Sequence, residues 1–368
     1  SLMTGDTLTI RGLSLKSVVV PMARPLVTRV VTIEKAAFVL IDLETEEGVT
    51  GRSYLFGYSA AGNACLIPPL KWLGEAMAGR KIEPETLFDE ARKTLTLMGH
   101  EGIAMMAVSG FDMACWDALA RAQNKPLADV LGGTREPIQA YNSGGLGLIS
   151  AEAAAEEAPE LLAEGNFNAV KVRLGRDTHE EDLAVIRAVR DAVGQDIHLP
   201  VDYNQALDVD QAIERCMSLE EENVYWIEEP IRYDNMDGNA SITAEAATPI
   251  QNGENFYGPE SAQRAVDAWA MDYIMPDVER IGGVTGWMRT AKIAENSNLP
   301  MSSHLFPEFS AHLLCVTPTR HWLEYTDWST PLLAEPYKIK DGHIHIPERP
   351  GAGIEWNEDT VEKYSIDV

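Results

Sequence analysis

Leu199-Pro200-Val201-Asp202, Tyr225-Trp226-Ile227-Glu228 and Gln251-Asn252-Gly253-Glu254 are three short strand-like segments that each stop at an acid, and successive acids lie 26 residues apart. That spacing accommodates one strand, one crossover helix and the return to a neighbouring parallel strand. The rhythm continues on both sides. β-rich runs recur at 138–142, 169–174, 199–204, 224–229, 249–254, 273–278, 300–304 and 322–325, with helical patterns over 150–163, 180–193 and 211–222. Eight β/α alternations point to an α/β fold of the (β/α)8 barrel type; a doubly wound open sheet shows the same alternation and is the runner-up.

Outside this region the pattern changes. Residues 8–49 are strand-like, with a loop at 24–32 between the runs 17–21 and 37–43, and residues 65–124 turn helical, Ala107, Phe111, Ala114, Cys115 and Ala118 recurring on one face. Leu131-Gly132-Gly133 punctuates the boundary. The expected division is an α+β domain over 1–136, the barrel over 137–330 and a segment over 331–368. In that last segment alternating His343-Ile344-His345-Ile346 and the turn Pro350-Gly351-Ala352-Gly353 suggest a return to the first domain as added strands.

The 368 residues are 45% hydrophobic and 24% charged, enough for a large core, and 57 acids against 30 bases give a net charge of −27. Such a surface excludes the neutralisation of phosphates, so neither nucleic acid nor an anionic membrane is expected as a partner. The acids are either a solvated surface or, in part, gathered around a cation. Cys65, Cys115, Cys216 and Cys315 show no metal-like spacing and read as buried reduced thiols of a cytoplasmic protein. No stretch reads as a membrane span or leader, and Ser1-Leu2 ahead of Met3 reads as a leftover of expression.

Catalytic groups in a parallel barrel sit at the C-terminal strand ends. Asp202, Glu228 and Glu254 would therefore stand side by side at one height, a hard-oxygen site for a divalent ion such as Mg2+. Any one of them alone would pass for an exposed strand end; three in register repel one another unless a cation joins them. Asp277 closes the next run and His304 the one after, so the acid can accept from one imidazole nitrogen and leave the other as a general base. Glu324 closes the eighth. Lys171 and Arg173 share a strand face on the other side of the ring, where they would hold a substrate carboxylate. His100, His179, His198, His312, His321, His343 and His345 lack such a setting.

At these residues the chain resembles the enolase superfamily, in its mandelate racemase subgroup, over nearly its whole length. The resemblance is carried by Ala169-Val170-Lys171-Val172-Arg173, Val201-Asp202-Tyr203-Asn204-Gln205, Trp226-Ile227-Glu228-Glu229-Pro230, Gly253-Glu254-Asn255, Met275-Pro276-Asp277, Gly282-Gly283-Val284-Thr285-Gly286-Trp287, Ser302-Ser303-His304 and His321-Trp322-Leu323-Glu324. It implies a modified TIM barrel whose N-terminal domain caps the site, and a homo-oligomer with one Mg2+ per subunit on Asp202, Glu228 and Glu254. It further implies an Asp277-His304 base, and a protonated Glu324 donating to the substrate carboxylate. Lys171, Asn204 and Ser143 would touch substrate, and the 24–32 loop, with Leu26 and Val30, would close the pocket together with Tyr54 and Phe56.

One residue departs from the subgroup pattern. Racemising members carry a second lysine where Arg173 stands, and a guanidinium does not give up its proton to become a base. A one-base reaction remains. His304 would take the α-proton of a 2-hydroxy carboxylate to give a metal-stabilised enediolate that expels a β-hydroxyl, making the enzyme an acid-sugar dehydratase. The alternatives are a racemase or epimerase of a 2-hydroxy acid and a catalytically inactive metal- and ligand-binding member. Leu26, Val27, Val30, Val31 and Ile33 form an apolar stretch suited to an aryl or alkyl group, or simply to packing the loop.

Overall fold

The structure is a computed structural model that describes residues 8–368; Ser1-Leu2 lies outside them. Strands Val172–Arg173, Val201–Asp202, Ile227–Glu228, Ile250–Asn252 and Tyr273–Ile274 form a parallel sheet in chain order. The bridge Asn142↔Val170 joins Ile138–Asn142 to one edge. At the other edge, Ile274↔Met301 and Met301↔Arg320 carry the pairing through the seventh run. Leu323–Tyr325 then pairs in parallel with Ile138–Asn142, Leu323 opposite Ala140. The ring is closed, which removes the open sheet from consideration.

Val170, Val172, Val201, Ile227, Ile250 and Ile274 are all fully buried, as a parallel sheet covered on both faces requires. The surrounding helices start where capping residues stand. Ser150, Thr178 and Asp208 accept from the backbone N–H groups of Ala153, Glu181 and Gln211, and Gln211 returns the bond to close a capping box. Each cap is worth about 1 kcal/mol.

Ahead of the barrel, Ile10–Val27, Thr32–Thr45 and Thr50–Phe56 make an antiparallel meander backed by helices Ala60–Met77, Pro84–Thr94 and Gly102–Ala122. The expected loop at 24–32 is instead the tip of a hairpin. Leu26 pairs with Ile33 and Val27 with Thr32 after a register shift between Pro21 and Leu26, and only Thr28–Val31 turns. The irregularity re-aims the tip, and Val27 accepts from Leu148 N at 2.7 Å on the barrel rim. Three buried acids also join the two domains: Asp112 accepts from Thr285 N (2.9 Å), Glu279 from Phe56 N (2.6 Å) and Glu308 from the Tyr54 hydroxyl (2.5 Å). Gly283 (φ +67) is needed at the first of these, since a Cβ there would sit 2.6 Å from the Asp112 carboxylate.

The tail divides. Ser365–Ile366 does join the first domain, pairing with Ser17 and Val18. His343–His345 does not: it pairs with Lys338–Lys340 and with the barrel strand Ile138–Asn142. Helix Gly102–Ala122 corrects the membrane reading in one respect, being long and apolar enough to cross a bilayer, but 72% of its apolar window is buried inside the protein. All four cysteines are free; Cys65 is exposed and Cys315 half-buried, contrary to the expectation of four buried thiols, because Cys65 faces away from its helix's buried stripe.

Candidate active site

The equal spacing of the three acids hides an offset. Asp202 is level with Glu228, but Glu228 is level with Gln251, so Glu254 lies three residues past the register, beyond its strand. Gly253 (φ +148) makes the detour possible, because a Cβ there would come within 2.7 Å of Met275 N. The carboxylates converge nonetheless, with one oxygen from each within 4.8 Å of the others, and all three residues are buried. One Glu254 oxygen is buried without a hydrogen-bond partner. An all-carboxylate set with a vacant acceptor suits a hard divalent ion, so these residues could hold a metal. Burial first, and then Asp202, push Glu228 well above the usual carboxylate range.

Lys171 adjoins this cluster; it does not stand across the ring from it. Its strand neighbours that of Asp202, with Arg173 level with Asp202, and its Nζ lies 3.1 Å from Glu228, 3.3 Å from Asp202 and 2.5 Å from Glu324. Burial opposes its charge, but Glu228, Glu324 and Asp202 outweigh burial and raise its pKa. Arg173 forks onto the Gly145 carbonyl and, at 2.8 Å, onto Ser143 Oγ, leaving its buried Nε unpartnered.

His304 pairs with Asp277 across adjacent strands, Nδ1 lying 2.6 Å from Oδ2, while Asp277 Oδ1 accepts from Glu279 N at 2.6 Å. The other ring nitrogen faces Glu254 at 3.2 Å and Glu324 at 3.7 Å. Burial works against an imidazolium here, but Glu254 and then Glu324 prevail and raise the pKa of His304 well above its ordinary value. Glu324 departs from the expected protonated acid. Burial would raise its pKa, yet Lys171 and His304 pull it down to about 2, and its oxygens accept from Lys171, Ser143, Tyr141 and Leu305 N.

A cavity of about 140 Å3 opens over these groups. Lys171, Arg173, Asp202, Asn204, Glu254, His304, Glu324, Leu26 and Val30 line it, as expected; Glu228 lies buried behind Lys171. Ser143 and Tyr54 do not line it. Ser143 is spent behind Glu324 and Arg173, and Tyr54 is turned into the domain junction, where it stacks on Phe306 and donates to Glu308. Phe56 sits in the same junction, and Tyr58, two residues past that strand's end, reaches the cavity instead. Tyr54 and Phe56 alternate on one strand face, but Tyr58 lies beyond the strand's end with left-handed backbone (φ +67), which a period-2 pattern does not signal.

Glu229, Asn255, Arg280 and Tyr58, to which the sequence assigned no role, are linked behind these groups. Glu229 accepts from the Asn255 amide at 2.8 and 3.0 Å, the Asn255 carbonyl accepts from Arg280, and Arg280 also donates to the Tyr58 hydroxyl. This chain braces the off-register segment that presents Glu254. Asn204, Gln205, Glu229, Leu305 and Tyr58, all lining the cavity, have left-handed backbone (φ +41 to +67). Strain of about 1–3 kcal/mol per such residue is characteristic of functional sites.

Residues 11–132 match the mandelate racemase / muconate lactonizing enzyme N-terminal domain, and residues 153–360 match the enolase C-terminal domain-like family. The chain is 28% identical over 364 residues to the L-talarate/galactarate dehydratase of Salmonella typhimurium, covering 96% of this chain and 90% of the relative. A solved enolase from alpha pretobacterium bal199 with bound magnesium is 46% identical with a TM-score of 0.96, over 98% of this chain and 100% of that one. Another, from Bradyrhizobium, complexed with magnesium and mandelic acid, is 39% identical with a TM-score of 0.94 over the whole of both chains. The chain thus belongs to the mandelate racemase / muconate lactonizing enzyme family of the enolase superfamily.

Proposed function

We propose that this protein is a Mg2+-dependent enzyme that removes the α-proton of a 2-hydroxy carboxylate and dehydrates a 2,3-dihydroxy acid of the acid-sugar type. The observation that carries the reading is a single oriented imidazole, His304 on Asp277, beside three converging carboxylates, with Arg173, which cannot act as a base, level with Asp202 on the neighbouring strand. The dehydratase relative supports it. Asp202, Glu228 and Glu254 would hold the ion, which when bound supplies Lewis-acid stabilisation of charge growing on the substrate carboxylate.

The chain's own groups do the rest. Asp277 accepts the Nδ1 proton and so leaves Nε2 of His304 to take the α-proton. Glu254, 3.2 Å from Nε2, would hold a proton on this imidazole less strongly once its charge is engaged as a ligand. Lys171 and Arg173 place fixed positive charge beside the substrate carboxylate, strengthening their hold as it gains electron density. Glu324, ionised and held by four donors, keeps Lys171 in place.

A second reading, racemisation or epimerisation of a 2-hydroxy acid, draws on the Bradyrhizobium complex with mandelic acid and on the apolar hairpin tip. It lacks a base at Arg173. A cytoplasmic location is supported by the four free cysteines. Incubation with Mg2+ and a panel of acid sugars, with detection of 2-keto-3-deoxy products, tests the main reading. Metal-dependent 2-keto acid formation is expected; interconversion of stereoisomers without elimination across the panel would replace dehydration with the second reading.

A further inference from the structure

The cavity is polar on its floor and apolar on its wall. The floor is formed by Lys171, Arg173, His304, Asn204 and the carboxylates. Leu26, Val30, Val31, Ile33, Leu305 and Trp328 make the wall under the hairpin tip. Several of the polar groups that share the lining away from the floor are committed elsewhere. Thr28 Oγ1 donates to Val31 O and accepts from Val31 N in its own turn. Gln205 spends its carbonyl on Tyr233 N, and Asn255 is held at both ends by Glu229 and Arg280. The Gln205 amide nitrogen, the Tyr58 hydroxyl proton, Trp328 Nε1 and Arg280 Nε remain without a partner, but along Leu26, Val31 and Ile33 the lining offers a hydroxyl no side-chain partner.

A hydroxyl moved from water against such a wall loses its hydrogen bonds without replacement, whereas an alkyl or aryl group gains by burial. Resting on the dehydratase reading, we propose that the substrate is a 2,3-dihydroxy carboxylate whose C3 bears an apolar substituent in place of a polyol chain. Leu26, Val31 and Ile33 select for that substituent.

The reaction balances without a co-reactant. His304 Nε2 takes the C2 proton, the C–H electron pair becomes the C2–C3 double bond, and the C3–O bond breaks. The departing hydroxide takes the proton back from His304 and leaves as water. The enol then shifts its proton from oxygen to C3, giving the 2-keto acid.

The test measures kcat/KM, with Mg2+ saturating, for both diastereomers of 2,3-dihydroxybutanoate and 2,3-dihydroxy-3-phenylpropanoate against D-gluconate and galactarate. It also follows α-proton exchange in D2O for each. At least one apolar acid is expected to exceed both polyol acids by tenfold or more, and Val31→Asn, at a half-exposed position, to narrow the ratio. Equal or faster turnover of gluconate or galactarate overturns the inference and leaves the dehydratase reading standing. Absence of exchange with every acid overturns both.

Discussion

His304 Nδ1 and Asp277 Oδ2 meet at 2.6 Å across two adjacent parallel strands, 27 residues apart in the chain. The acid is itself fixed, its other oxygen accepting from Glu279 N as the following helical turn begins. With Nδ1 committed as a donor, the ring presents Nε2 to the cavity in one tautomer. Asp277→Asn reverses this: the amide would donate to Nδ1 and leave the proton on Nε2. Exchange of the substrate α-proton should fall about a thousandfold or more, while thermal unfolding moves by a few degrees at most.

Arg173→Lys places a titratable amine beside Lys171, whose ammonium lowers a neighbouring lysine's pKa. The variant should gain exchange with inversion of configuration, readable by chiral chromatography of recovered substrate. Exchange with retention alone would show that position 173 does not face the α-carbon.

The brace on Glu254 predicts an effect on metal affinity separate from folding. Asn255→Leu removes the link between Glu229 and Arg280 and should weaken Mn2+ or Mg2+ binding roughly 10- to 100-fold, by electron paramagnetic resonance or calorimetry. In the unmodified protein, Mg2+ at a hundred times its Kd should add about 2.7 kcal/mol to unfolding stability. Asp202→Asn should remove that increment.

His312 lies far from this chemistry and ties the two domains to the tail. Its Nδ1 accepts from Ala128 N at 3.0 Å and its Nε2–H donates to the Tyr337 hydroxyl at 2.8 Å. Burial, and then Arg135, bring its pKa down to about 3. The folded state keeps it neutral while the unfolded chain binds a proton below about 6.5, so its contribution is present at pH 7 and is lost as pH falls toward 3. The loss is on the order of 5 kcal/mol. Denaturant titrations of wild type and His312→Gln should diverge in pH slope between about pH 6.5 and 4.

Barrel and metal cluster were legible in the sequence because a β/α repeat places strand ends at predictable intervals and because acids there are costly unless joined by a cation. The Asp277-His304 pair followed by the same logic. Local backbone detail was not legible. Gly253 lets Glu254 leave its register, the hairpin tip extends pairing through Leu26 and Val27, and the strand carrying Tyr54 ends just before Tyr58. Each depends on a register or a dihedral angle that residue identity alone does not specify. Lys171 and Glu324 were found, but their mutual bond, which keeps Glu324 ionised, arises from the closing of the ring between the first, second and eighth strands.

The central claim is that one base, His304, removes the α-proton. The most direct measurement is proton NMR of a single enantiomer of a turned-over 2-hydroxy acid in D2O with Mg2+, for wild type and His304→Asn. Loss of the α-proton signal with configuration retained, abolished in His304→Asn, is the predicted result. Exchange accompanied by inversion in the wild type, or exchange that persists in His304→Asn, would contradict it.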